Sequence, residues 1–305
     1  MTIVLRSSPS RPAGAAAAVL IVLTGGLIAC GTTSPGAGAV TGVAGSAMAP
    51  ATLPAALNAA QIASLLASPD RSAADRVNDQ RRHPAEMLAF IGLRPGMQVL
   101  DLSAGGGYTT ELLARAVGPA GRVYGQSAPR TNRPPPPAAE GAATPPPPAV
   151  AASAGPPRPS PVALAARVAQ SGLSWIVAVV QPFEAPVPAE LAPAGLDLVT
   201  LMFNYHDLGH LGVDRARMNA AVFAALKPGG LYVIADHSGR PGTGISESGT
   251  LHRIEESFLR AEVEQAGFRL LAQGNFLRNP ADPRDRNTPE PPMPKDEFVL
   301  KFVKP

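Results

Sequence analysis

The sequence predicts an α/β domain: a doubly wound, mainly parallel sheet with an antiparallel ending. Three observations carry that expectation. From Met97 onward, short apolar runs alternate with helix-patterned segments, the order of a parallel sheet with helices on both faces. The first run, VLDL, opens into Gly105, Gly106 and Gly107 and then into a helix pattern. At the far end, FRLLAQGNFL and EFVLKFV follow one another with no helix between them, so this pair is expected to be antiparallel.

Ahead of that domain the chain carries an export signature. Arg6 and Arg11 form a positive head, and Ala15 to Ala29 an apolar stretch too short to span a bilayer. Leu27-Ile28-Ala29-Cys30 resembles a bacterial lipobox, in which the cysteine becomes the lipidated first residue. Cys30 is the only cysteine in the chain and has no partner for an internal disulfide. An ordinary signal peptide cut later, after Ala47-Met48-Ala49, is the alternative. Residues 1–29 are thus read as a signal peptide and 30–54 as a flexible tether of Gly, Ala, Thr, Ser and Pro. The expected location is the periplasmic side of the cell envelope, with a lipid anchor to a bacterial membrane.

The domain itself is expected over 55–305. Gln61 to Leu66 begins a short helix. Pro69-Asp70-Arg71-Ser72 reads as a turn and cap, and Ala73 to Phe90 as one further helix. Strands follow at Met97–Leu102, Gly121–Gln126, Ser174–Val180 and Leu196–Phe203, with helices at Thr110–Ala116 and Val162–Gln170. Asp214 is placed to cap a helix through Leu226. Lys227-Pro228-Gly229-Gly230 stops that helix and leads into LYVIAD. Arg253 to Ala266 spaces Ile254, Phe258, Leu259 and Val263 for one buried face, and Gly267 ends it. Between the second and third strands, 129–161 carries PPPP twice. Proline fixes φ and removes a donor, so this segment is expected to stand outside sheet and helix as a disordered insertion.

Charge excludes one class of partner. The 26 basic and 23 acidic residues leave a formal charge of +3, and no dense Lys/Arg patch with interleaved aromatics occurs, so no nucleic acid is expected.

Ligands of open parallel sheets sit beyond the carboxyl ends of the strands, where strand order reverses. That rule selects Asp101 to Gly107, Gln126, Asn204 to Asp207, and Asp236-His237-Ser238. Gly105, Gly106 and Gly107 permit positive φ and a close approach of backbone to ligand. Asp101, at the strand end, can orient the loop or accept from a cationic amine. The dinucleotide fingerprint fails, because no third glycine stands near Thr110.

The run of VLDLSAGGGY, GRVYGQ, LDLVTLMFNYHD and LKPGGLYVIAD, with the antiparallel ending, resembles the class I S-adenosylmethionine-dependent methyltransferases. NYHDL, TLHRI and FLRNPADPRD are similar to a group of exported bacterial predicted methyltransferases. The resemblance covers roughly Pro84 to Val303. It implies a Rossmann-like sheet of seven strands with the last antiparallel, and S-adenosylmethionine as cofactor. The cofactor's methionine part would lie over Asp101, Ser103, Gly105 and Gly107, its ribose by Gln126, and its adenine near the third and fourth strands, with Asn204 on the same edge. The chain departs from the family twice. Ser103 stands where the pattern has glycine, and Gln126 where it usually has an acid for the ribose hydroxyls.

Catalytic groups are expected after the fourth and fifth strands. His206 is a base for an oxygen or nitrogen nucleophile near neutral pH, Asp207 orients it or caps the next helix, and His237 shares the pocket. Tyr205 reads equally as packing or as a stacking surface. His206 and His210, with Asp207 between, have helical metal spacing, but Gly209 and Gly212 argue for a loop and no third ligand stands out, so no metal is expected. The expected function is methyl transfer to a small molecule. The alternative is a non-catalytic envelope lipoprotein that keeps the fold as a binding module.

Overall fold

The computed structural model describes residues 54–129, 160–191, 193–289 and 291–305. Seven strands form one sheet: β1 (Gln98–Leu102), β2 (Arg122–Ser127), β3 (Ile176–Val180), β4 (Leu196–Met202), β5 (Leu226–His237), β6 (Arg269–Gly274) and β7 (Glu297–Val303). Their order is β3-β2-β1-β4-β5-β7-β6. Strands β1 to β5 pair in parallel, and β7 runs antiparallel between β5 and β6. The expected sheet is therefore present, and its order reverses between β1 and β4, which opens a crevice above that pair.

Alternation along the strands sorts the core into two layers. Val99, Val123, Leu198 and Val233 face one layer; Leu100, Val199, Leu201 and Ile234 face the other. All eight are fully buried, and each contributes about 1.5–3 kcal/mol by leaving water. The first layer is closed by α1 (Ala59–Leu66), α3 (Pro84–Ile91) and α4 (Tyr108–Val117). The second is closed by α7 (Arg215–Ala225) and α8 (Glu256–Gln265). Among the described residues, no helix is long and apolar enough to cross a membrane.

Local chemistry sets the helix limits. Asn58 and Gln61 form a reciprocal capping box on α1. Ser72 caps α2 (Ala73–Arg82), and Asp214 caps α7 by accepting from the Arg217 N–H at 2.9 Å. Gly267, at φ 102°, lies just past α8.

Four expectations are corrected. Ala73 to Phe90 is two helices, because Pro84 has no N–H to continue α2; His83 turns the chain at φ 44° and Pro84 starts α3. The proline-rich segment does not reach Pro161, which occupies the first turn of α5 (Ser160–Ser171), where a missing N–H costs nothing. Lys227-Pro228-Gly229-Gly230 lies inside β5, opposite an irregularity at Leu196/Leu198 of β4. Finally, α8 starts at Glu256, because Arg253 is drawn inward and fully buried against Asp282 at 2.8 Å. The expected signal peptide, Cys30, the expected tether to residue 53 and the PPPP runs lie outside the described residues.

Candidate active site

The strand ends bring the predicted residues to one edge of the sheet. At the end of β1, Asp101 is buried and accepts hydrogen bonds from Thr110 at 2.6 Å and Thr200 at 2.8 Å. Burial pushes its pKa up to about 6, against those two hydroxyls. Thr110 thus uses the place of the absent third glycine to tie α4 to the strand. Asp101 is a loop anchor with both oxygens engaged inside the chain.

Ser103 takes a left-handed conformation, φ 54°, which explains why glycine suits that position in the family pattern. Two bonds hold the serine there. Its N–H donates to Gln126 Oε1 at 3.0 Å, and its hydroxyl donates to Asn204 Oδ1 at 2.6 Å. Gln126 is fully buried and its amide nitrogen donates to the Gln181 carbonyl at 2.6 Å. Asn204 in turn donates to Asp207 at 2.8 Å. A chain of neutral hydrogen-bonding groups therefore runs along the edge from β3 to Asn204, where it meets the Asp207 carboxylate.

The glycines divide their work. Gly107, at φ 84°, lies under α5, where an added Cβ would meet Leu164 at 2.7 Å and Arg167 at 2.9 Å. Arg167 fixes α5 there by donating to the Gly106 carbonyl at 2.6 Å and by pairing with Asp75 and Glu111. Gly106, by contrast, has nothing within 4 Å of a Cβ, and Gly105, at φ 57°, has only the Ser103 carbonyl at 3.9 Å. The outer face of this turn is bare backbone.

The edge beyond β4 and β5 is charged. Asp236 is fully buried and accepts from the His206 N–H at 2.7 Å, the His237 N–H at 2.8 Å and His206 Nδ1 at 2.6 Å. The other ring nitrogen of His206 lies 3.0 Å from Asp207 Oδ1. Burial opposes charge on this imidazole, but Asp236 and Asp207 together outweigh it and push the pKa up to about 9. His206 is therefore a cation at neutral pH and does not serve there as the base that its position suggested. Against the same burial, His206 and His252 hold Asp207 down to about 2. Tyr205 is core: fully buried, with its hydroxyl donating to Glu262 and accepting from Asn219, each at 2.9 Å.

His237 faces a cavity of about 530 Å³, whose lining includes Arg81, Arg278, Lys295 and Glu297. Burial drives His237 down to about 3, so it is neutral. Its Nδ1 lies 2.9 Å from Glu297 Oε1 but too obliquely for a hydrogen bond. Burial pushes Glu297 up to about 7 and Lys295 down to about 8. A pocket whose carboxyl and amine both approach neutrality can hold or release a proton near neutral pH. Arg82, next to the pocket-lining Arg81, is lowered by burial to about 10, and its guanidinium lies 4.1 Å from the Phe203 ring centre.

Asp236 and His237 lay in a window that the strand-end rule selects. Glu297, Lys295 and His252 did not. Glu297 starts the last strand and reaches this edge because β7 is antiparallel, so its first residue lies beside the last of β5, His237↔Glu297. That pairing is the one signal that could have found it.

Residues 69–128 match the family described as protein-L-isoaspartate(D-aspartate) O-methyltransferase. No curated protein matches the chain. Among solved structures, the chain is similar to a SAM-dependent methyltransferase from Aquifex aeolicus, at 18% identity and TM-score 0.51, covering 82% of this chain and all of that one. It is also similar to a putative methyltransferase from Bacillus halodurans, at 14% identity and TM-score 0.48, covering 72% of this chain and 98% of the other. Aeropyrum pernix fibrillarin, solved with natively bound S-adenosyl-L-methionine, aligns at 16% identity and TM-score 0.41, over 68% and 67% of the two chains. The chain has the class I S-adenosylmethionine-dependent methyltransferase fold.

Proposed function

We propose that the chain is an S-adenosylmethionine-dependent methyltransferase whose acceptor is a small molecule bound between His237, Lys295 and Glu297. The observation that carries this reading is one edge with two unlike halves. A bare backbone turn at Gly105 and Gly106 lies at the end of β1, and a proton-holding cavity at the end of β5. With β4 between them, the two strand ends are about 10 Å apart. The residues fit the cofactor at the turn, where nothing fills the space beside Gly106. At the end of β2, the buried Ser127 hydroxyl has no partner of its own.

Gly105 and Gly106 would hold the cofactor's amino-acid end beside the N-terminus of α4, with Ser127 and Asn204 nearest its nucleoside. When bound, the cofactor supplies an electrophilic methyl group. The remaining chemistry belongs to the chain. Glu297, pushed up to about 7, takes the proton that an oxygen or nitrogen acceptor loses. Neutral His237 and the Lys295 amine orient the acceptor, and Asp101 keeps the turn in place through Thr110. The isoaspartyl family match ends at residue 128 and takes in only Arg81 and His83 of the cavity lining, short of His237, Lys295 and Glu297, so no acceptor class is carried over from it.

Calorimetry of the full chain with S-adenosylmethionine and its demethylated product tests the reading. One site per chain is expected, with Gly106→Val abolishing binding while leaving the fold intact, since a Cβ at that position meets no protein atom within 4 Å. No binding at millimolar cofactor overturns the proposal, and so does unchanged binding by Gly106→Val. Gln126 supports the second reading, a non-catalytic binding module, because both ends of its amide are engaged within the chain. Binding without turnover over a panel of hydroxyl, amine and thiol acceptors decides for that module.

Export with lipidation at Cys30 belongs to the same proposal and is supported by the Leu27-Ile28-Ala29-Cys30 sequence. Labelled palmitate should enter the wild-type chain and not Cys30→Ser.

A further inference from the structure

Four of the chain's five histidines gather at the edge beyond β4 and β5: His206, His210, His237 and His252. Methyl transfer as proposed above uses only His237. The others surround Asp207. His206 Nε2 lies 3.0 Å from Asp207 Oδ1 and His252 Nδ1 lies 2.8 Å from the same oxygen. All three ligand atoms fall within 4.8 Å of one another. A tetrahedral ion with bonds of about 2.0–2.1 Å needs donors about 3.3 Å apart, which small side-chain rotations supply. We propose that His206, Asp207 and His252 form a binding site for a divalent transition-metal ion of the zinc type.

Three features separate this cluster from an incidental ion pair. His206 is nine-tenths buried or more, and its Nδ1 bonds the fully buried Asp236 carboxylate at 2.6 Å. A carboxylate on the far nitrogen fixes the ring and turns Nε2 toward the site, the usual support of a metal-bound imidazole. His252 holds a left-handed backbone, φ 51°, and its ring stands at 90° to that of His206. Its side chain is 39% exposed and that of Asp207 24%, so the ion would enter from solvent and keep open positions there. Two imidazoles and one carboxylate, without thiolate, suit zinc, iron(II), cobalt or nickel better than calcium or magnesium. The ion takes the place of the proton on His206 Nε2, which is released on binding.

The sequence offers His206 and His210 at helical metal spacing but, with no third ligand, leads to no expected metal, and the structure revises that expectation. The four-residue α6 (Asp207–His210) instead leaves His210 Nδ1 3.9 Å from Asp207 Oδ1 and 3.0 Å from the Ser248 hydroxyl. His252, 45 residues after Asp207, replaces it.

The test is a competition titration of the untagged, chelator-stripped full chain with zinc(II) and a chromophoric chelator, followed by cobalt(II) absorption spectra. One tight ion per chain is expected. His252→Ala and Asp207→Asn should each weaken it at least 100-fold. Asp236→Asn should weaken it about 10- to 100-fold, since it acts through His206. His83→Ala, the histidine outside the cluster, should leave affinity unchanged. Circular dichroism checks that each variant folds, and exposed His252 makes His252→Ala the variant that retains the fold. Zinc affinity that is unchanged in His252→Ala, or that falls equally in His83→Ala, overturns the site. So does a wild-type chain that binds no zinc at tenfold molar excess.

Discussion

The two halves of the sheet edge differ in kind. At the ends of β1 and β2, Ser103 and Gln126 form a neutral hydrogen-bonded string that reaches Asn204 beyond β4, and the one acid, Asp101, is tied to two hydroxyls. At the ends of β4 and β5, the side chains are carboxylates and imidazoles at 2.6–3.0 Å, with strongly displaced pKa values. The first half presents a shape, the second presents charge and protons. A cofactor of fixed structure needs the former, and a reaction that moves a proton needs the latter.

This contrast can be broken by energetics. Asp236→Ala leaves the buried His206 imidazolium without its main partner, and should destabilise the fold by about 3–5 kcal/mol in urea or thermal unfolding. Asp101→Ala leaves the buried hydroxyls of Thr110 and Thr200 unpaired and should cost less, about 2–3 kcal/mol. A larger loss at Asp101 than at Asp236 would erase the distinction between the halves.

The pH dependence sharpens it. Burial raises the folded pKa of Asp101 to about 6 from an ordinary 3.8. The folded chain therefore binds the extra proton between those values, and stability falls as pH rises from about 4 to 6. In Asp101→Asn that fall should shrink by about 1–3 kcal/mol relative to wild type, measured as unfolding free energy at the two pH limits. An unchanged slope would mean that the carboxyl is not desolvated. Smallest is a control away from the edge. Asp214→Ala removes the α7 cap and should cost about 0.5–2 kcal/mol, with no change in cofactor or metal binding.

Much of the frame was legible from order and pattern. Alternation from Met97 on gave the parallel strands, and the missing helix before EFVLKFV gave the antiparallel pair. The glycine turn and the NYHD stretch lay where strand ends had to fall. Less was legible at Ser103, which read only as a departure from the family's glycine, whereas the backbone there has positive φ and two bonds that sustain it. His206 read as a base, because a sequence shows the residue and not the two carboxylates that charge it.

By itself, then, the sequence determined the element order, the bare turn and the polar residues at the strand ends, because periodicity and glycine act over a few residues. Only the tertiary structure decided which acids meet which imidazoles. Asp236, His252 and Glu297 reach His206, Asp207 and His237 from separate parts of the chain. Their pKa values follow from burial and from distances of about three ångströms, which no local pattern encodes.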